Sequence, residues 1–92
     1  MNKGFVYLLR CGQFFKIGTT YKNVLERIAS MKTGNPYPIS IVFMAKVNNP
    51  FELEKSLHIC FNPDRNNGEW FLLKEDDIRS IIGIIGKNLS YN

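Results

Sequence analysis

The segment that decides the fold reads GFVYLLRCGQFFKIGTT and covers residues 4–20. Residues 5–10 combine aromatic, β-branched and aliphatic side chains without a glycine or proline, which is typical of a β-strand. Gly12 separates this run from a second apolar run at 14–17, so the sequence predicts a tight hairpin that turns around Gly12. Gly18 is expected to end the second strand. The chain therefore begins with two antiparallel strands joined by a short turn.

Three helices are predicted from cap residues and from the spacing of apolar side chains. The first follows Asn23, and the second follows Asn49-Pro50, where asparagine caps and proline takes the first helical position. The expected core faces are Val24, Leu25, Ile28 and Met31 in the first helix and Leu53, Leu57, Cys60 and Phe61 in the second. The third helix, at about 75–87, starts with three acidic residues, which a helix N-terminus favours.

One further strand is predicted at 38–47, and the short apolar stretch 70–73 is a weaker strand candidate after a polar loop at 64–68. The element order is then β-β-α-β-α-(β)-α. This order predicts an α/β (α+β) fold in which a small three-stranded, mainly antiparallel sheet is flanked by three helices. A chain of 92 residues has room for one core, so a single domain over 1–92 is expected.

Composition excludes several classes of protein. Apolar residues make up 45% of the chain and charged residues 22%, which excludes a disordered chain. Two cysteines, Cys11 and Cys60, are too few for a disulfide scaffold or a cysteine-rich zinc module. The apolar runs are too short for a membrane-spanning helix, and the N-terminus has no signal-peptide apolar region. We therefore expect a cytoplasmic protein, or one of the host cytoplasm if it is phage-encoded, that is not secreted and does not bind a membrane.

Charge is distributed unevenly along the chain. The net charge is +4, but residues 1–46 hold seven basic residues and one acid, whereas residues 47–92 hold five basic residues and seven acids. The basic first half favours a polyanionic partner. The second half supplies the carboxylates that a hard cation prefers as ligands.

Five polar residues in apolar surroundings could carry chemistry. Tyr7 and Lys16 lie nine residues apart across the predicted hairpin, where antiparallel pairing brings such positions close, and a cation beside a phenol favours the phenolate. Arg27 offers a guanidinium that can bind phosphate through two hydrogen bonds. Glu54, one turn from His58 on the second helix, is a suitable single carboxylate for Mg²⁺. The same residues are also compatible with a strand aromatic, solvated cations and a surface pair at i, i+4.

The order of these residues resembles the GIY-YIG nuclease superfamily. The pair GFVYLL at 4–9 and KIG at 16–18 is similar to its two naming motifs, and Arg27 follows in the first helix. The later segments ELEKSLH at 52–58 and GEWF at 68–71 resemble the T5orf172 (phage-type) branch. The resemblance covers about residues 4–73 and implies a GIY-YIG endonuclease-like fold and a phage or mobile-element context.

The resemblance also implies a role for each matching residue. Tyr7 corresponds to the tyrosine that contacts the attacking water and acts as a general base. Arg27 corresponds to the arginine that stabilises charge on the scissile phosphate. Glu54 corresponds to the glutamate that binds one Mg²⁺ or Mn²⁺. Gly18 corresponds to the glycine that closes the second motif.

Two positions depart from the usual family pattern. Lys16 stands where the second motif usually has tyrosine, as in some restriction-enzyme members, and could polarise Tyr7. Met31 occupies a position where some members carry histidine or tyrosine, and a thioether cannot move a proton. His58 is therefore expected either to assist the leaving oxygen or to orient Glu54.

The predicted function is a metal-dependent endonuclease that hydrolyses DNA phosphodiester bonds and nicks one strand per monomer. DNA is the expected partner, with RNA as the alternative, and double-strand cleavage would require a homodimer or a partner protein with a recognition domain. Nucleic-acid contacts are expected from Thr19, Lys22, Lys32, Asn66 and Asn67. Two alternatives stay open: a catalytically weakened module that binds nucleic acid or a phosphate ligand, and a phage accessory protein that binds a host protein.

Overall fold

The computed structural model describes residues 3–32, 37–61, 65–66 and 70–90, and for Lys32, Arg65 and Asn66 it describes the backbone alone. The elements in chain order are β1 (Lys3–Cys11), β2 (Phe14–Thr20), α1 (Val24–Lys32), β3 (Ser40–Asn48), α2 (Pro50–Cys60), β4 (Arg65–Asn66), β5 (Trp70–Leu72) and α3 (Glu75–Gly86). The α+β class and the three helices are confirmed.

The strands form one antiparallel sheet in the order β3-β1-β2-β5-β4. Four strands make up its body, and the two-residue β4 extends one edge. The prediction of three strands was therefore wrong. Phe14 and Phe15 of β2 pair with Leu72 and Phe71 of β5, a contact between distant parts of the chain that no local pattern signals.

The predicted hairpin is confirmed, with Gly12 and Gln13 between the two strands. Gly12 has a φ of 62°, a left-handed conformation that glycine adopts without strain. The Arg10 Nε donates a hydrogen bond of 2.8 Å to the Gly12 carbonyl and so closes the turn. The second strand does not end at Gly18 but continues to Thr20.

The two predicted helix starts differ in their caps. The Asn23 side-chain oxygen accepts hydrogen bonds from the backbone N–H groups of Leu25, at 2.8 Å, and Glu26, at 3.3 Å, so this N-cap is confirmed. Asn49 also precedes its helix, but its φ is 50° and its side chain makes no capping hydrogen bond. Pro50 does occupy the first helical position, as predicted.

The sheet separates two core clusters. The cluster under α2 and α3 consists of Val6, Leu8, Phe15, Ile17, Val47, Leu53, Leu57, Phe71, Ile81 and Ile85. The smaller cluster under α1 consists of Tyr7, Leu9, Val24, Ile28 and Ile39. Alternation along β1 produces this division, because consecutive strand residues point to opposite faces. Tyr7 therefore belongs to the α1 face of the sheet.

Two residues assigned to core faces are exposed. Leu25 is 64% exposed, because Val24 and Ile28 form the line of α1 that meets the sheet. Cys60 is exposed at the last position of α2, where the neighbouring Phe61 packs against the core instead. In the described ranges, none of the helices is long and apolar enough to cross a membrane.

Candidate active site

The candidate site residues lie around the last three residues of β2, Gly18 to Thr20. Among the described residues, β5 pairs with β2 through Phe14 and Phe15, so its ladder stops before this end of the strand. Residues 18–20 pair with β1 on their other side. Among the described residues, this strand end is therefore paired along one edge, by β1.

Tyr7 lies directly across from Gly18 in the β1–β2 ladder. Its ring covers the glycine, since a Cβ built on Gly18 would lie 2.5 Å from both Cζ and the hydroxyl oxygen of Tyr7. The residue is 1% exposed and packs in the α1 cluster. Within the described ranges its hydroxyl has no hydrogen-bond partner, so the oxygen is not committed to a structural contact.

This close approach predicts a strong effect of a single methyl group. Gly18→Ala is expected to lower the free energy of unfolding by about 1–3 kcal/mol, because the Tyr7 ring must shift to admit the methyl group. Gly83→Ala is the matched control, since a Cβ there meets nothing within 4 Å and alanine favours a helix. Chemical denaturation of both variants checks this. Equal stability of Gly18→Ala and the wild type would contradict the proposed packing.

Glu54 approaches the same strand end from the opposite face. Its Oε1 accepts a hydrogen bond of 2.9 Å from the Thr19 hydroxyl, which joins α2 to β2. Glu54 is half-buried, and no basic side chain of the described residues forms an ion pair with it. A carboxylate in this setting leaves its second oxygen, Oε2, available for a cation.

His58 is bound to β2 rather than to Glu54. Its Nε2 lies 3.2 Å from the carbonyl oxygen of Ile17, and because a carbonyl accepts, this nitrogen carries the proton. The ring also meets Phe71 edge-on, with centroids 5.3 Å apart. These contacts hold α2 against the strand that carries Thr19.

Arg27 is exposed on α1, beside the end of β2. It lines a shallow pocket of about 190 Å³ together with Thr20, Lys22, Asn23 and Glu26. In the described part of the chain its guanidinium has neither an ion-pair partner nor a hydrogen-bond partner. The group is therefore available to an anion that approaches this edge.

Lys16 lies on the same face of β2 as Gly18, two residues earlier in the strand. Its Nζ is 5.8 Å from the centroid of the half-buried Trp70 ring, a cation–π contact between distant parts of the chain. Lys16 is thus a diagonal neighbour of Tyr7 across the hairpin, within reach of a long side chain.

The predicted nucleic-acid contacts fall in different places. Thr19 bonds Glu54, as described. Lys22 is exposed and shares the pocket of Arg27. The side chains of Lys32 and Asn66 and all of Asn67 lie outside the described residues. Lys22 is therefore the basic residue of this group that the structure places beside the strand end.

A divalent metal would have one carboxylate ligand at this site. The described residues contain no group of three or more histidine, cysteine or acidic side chains that could hold a metal ion. Mg²⁺ nevertheless binds proteins through one or two carboxylates and completes its shell with water and substrate phosphates. Glu54, half-buried and without a basic partner in the described ranges, fits that mode of binding.

The fold defines a small α+β domain whose candidate site lies at the end of one strand. The T5orf172 domain model matches residues 4–86, and the chain belongs to that family. The matched range runs from β1 to the end of α3. No curated protein and no solved structure matches the chain.

Proposed function

We propose that the protein is a metal-dependent endonuclease that hydrolyses DNA phosphodiester bonds and nicks one strand per monomer. One observation carries the proposal. At three consecutive residues of the end of β2, Tyr7 covers Gly18, Glu54 bonds Thr19, and Arg27 lines a pocket together with Thr20.

The scissile phosphate is proposed to lie at this end of β2, within reach of both faces of the sheet. Tyr7 serves as the general base, because its hydroxyl is uncommitted within the described residues. Arg27 stabilises the charge that develops on the phosphate, and its exposed guanidinium can form two parallel hydrogen bonds to phosphate oxygens.

Glu54 would hold the single Mg²⁺ or Mn²⁺. When bound, the metal supplies Lewis-acid stabilisation of charge on the phosphate oxygens. Thr19 and His58 act on this side of the site through the position of α2, since both bond this helix to β2. Lys16 lies on the other face of the sheet, which also carries Tyr7, and its Nζ is 5.8 Å from the centroid of the Trp70 ring.

DNA is the proposed partner because of the charge around the site. Residues 1–46 carry seven basic residues and one acid, and Lys22 and Arg27 stand together at the strand end. Such binding should weaken steeply with salt, because each phosphate contact releases counterions. RNA carries the same phosphate charge, so binding of RNA is to be compared with binding of DNA. Double-strand cleavage would take a second copy of the chain or a partner protein with a recognition domain.

The test is nicking of supercoiled plasmid with Mg²⁺ or Mn²⁺. We expect conversion to open circles that stops with EDTA and returns when metal is added back. A Glu54→Gln protein purified in the same way is the control for a contaminating nuclease, because a contaminant would still nick the plasmid in that sample. A folded protein that shifts DNA without cutting it would instead be a binding module. A protein that neither cuts nor binds nucleic acid would point to a protein partner.

A further inference from the structure

The Thr19–Glu54 hydrogen bond joins two side chains at the strand end. It joins side chains 35 residues apart, at 2.9 Å, in a half-buried setting. The hydroxyl donates its hydrogen to Oε1, because an ionised carboxylate can only accept. One oxygen of Glu54 is therefore fixed by β2, and the rotation of the carboxylate is restricted with it.

We infer that Thr19 is a positioning residue for the metal site, an inference that rests on the proposed function. Metal ligands depend on neighbouring hydrogen bonds that orient them, and losing one such bond typically costs 10-fold to 100-fold in metal affinity or activity. Thr19 occupies that place for Glu54. Because Thr19 follows Gly18 in the strand, the same backbone segment sets the position of the carboxylate and supports the Tyr7 ring.

A purely structural tie between α2 and β2 is the competing explanation. The structure already provides one, because His58 bonds the Ile17 carbonyl at 3.2 Å and Leu57 is buried in the core. The docking of α2 therefore does not depend on Thr19 alone. If Thr19 only fastened the helix, its loss would lower stability and leave metal binding unchanged.

Two substitutions at this position separate the explanations. Thr19→Val keeps the β-branched shape that suits a strand and removes the hydroxyl, whereas Thr19→Ser keeps the hydroxyl. Ser56→Ala is the control for the loss of a hydroxyl, because Ser56 is exposed on α2 and lines a different pocket, with Asn48 and Glu52. Thr19→Val should need about 10-fold more Mn²⁺, and the other two variants should bind Mn²⁺ like the wild type.

Mn²⁺ binding is measured by water-proton relaxation on the protein without DNA, and the Mn²⁺ midpoint of plasmid nicking is measured beside it. A shift in both for Thr19→Val, with rescue by Thr19→Ser, supports the positioning role. A wild type that nicks plasmid while Thr19→Val keeps the same Mn²⁺ affinity and midpoint would overturn this inference alone. A wild type that binds no Mn²⁺ and nicks no plasmid would overturn the proposed function together with it.

Discussion

Replacing Tyr7 with phenylalanine is expected to lower the nicking rate by about 10²-fold to 10⁴-fold, the range that general acid–base catalysis contributes. The fold should persist, because the ring keeps its packing over Gly18 and its place in the α1 cluster. The lost hydroxyl has no hydrogen-bond partner in the described ranges, so its removal leaves no polar group there unpaired. Single-turnover nicking at saturating metal, together with thermal unfolding, measures both effects.

The matched control for this variant is Tyr21→Phe. Tyr21 follows the same strand end but is 57% exposed, so the loss of its hydroxyl should change neither nicking nor stability. Normal nicking by Tyr7→Phe would show that the phenol is not the base. A large loss of stability in Tyr7→Phe would instead reveal a structural role of the hydroxyl.

The parts of the fold that follow from the sequence are the local ones. The hairpin depends on a glycine that accepts a φ of 62°, and the start of α1 depends on an asparagine that caps its own neighbours. These interactions join residues only a few positions apart. Residue type and spacing are therefore sufficient to predict them.

The parts that the sequence indicated only weakly or wrongly depend on distant contacts. The weak strand candidate at 70–73 contains β5, whose place in the sheet depends on the pairing of Phe71 and Leu72 with Phe15 and Phe14 of β2. Leu25 matches the helical spacing of a core residue, but α1 meets the sheet along Val24 and Ile28. Apolar spacing predicts that a helix has a buried side. Which residues at the margin of that side are buried depends on how the helix packs on the sheet.

The candidate site divides in the same way. Tyr7, Arg27 and Glu54 could be proposed from their order along the chain, since the resemblance carries that order. The partner of Glu54 could not, because Thr19 lies 35 residues away on another element. Thr19 was expected to contact nucleic acid, whereas in the structure its hydroxyl donates a hydrogen bond to the Glu54 carboxylate.

The residues of the candidate site lie on both faces of the β2 strand end. Tyr7 packs in the cluster under α1. Glu54 belongs to α2, which packs in the cluster under α2 and α3. A substitution in one cluster can therefore alter the proposed base without displacing the proposed metal ligand. Gly18 and Thr19, adjacent in sequence, connect the two halves.

Replacing Glu54 with glutamine is expected to reduce nicking by about 10³-fold or more. The metal contributes several kcal/mol of charge stabilisation in such reactions, and each 1.36 kcal/mol corresponds to a factor of ten in rate. The amide keeps the shape of the side chain, and its oxygen can still accept the hydrogen bond from Thr19. Stability should therefore change little, while Mn²⁺ binding is lost. Plasmid nicking across a metal titration, with relaxation measurements of bound Mn²⁺, checks both.

Glu52→Gln is the matched control, because Glu52 lies on the same helix, is exposed, and stands two residues from Glu54 on another side of α2. It removes the same charge without touching the strand end, so nicking and Mn²⁺ affinity should equal those of the wild type. DNA binding in EDTA should survive in Glu54→Gln, since the basic residues beside the site are unchanged. If Glu54→Gln nicks at the wild-type rate with the wild-type dependence on metal, then the carboxylate does not hold the ion. The Thr19 hydrogen bond would in that case serve only to dock α2 on the sheet.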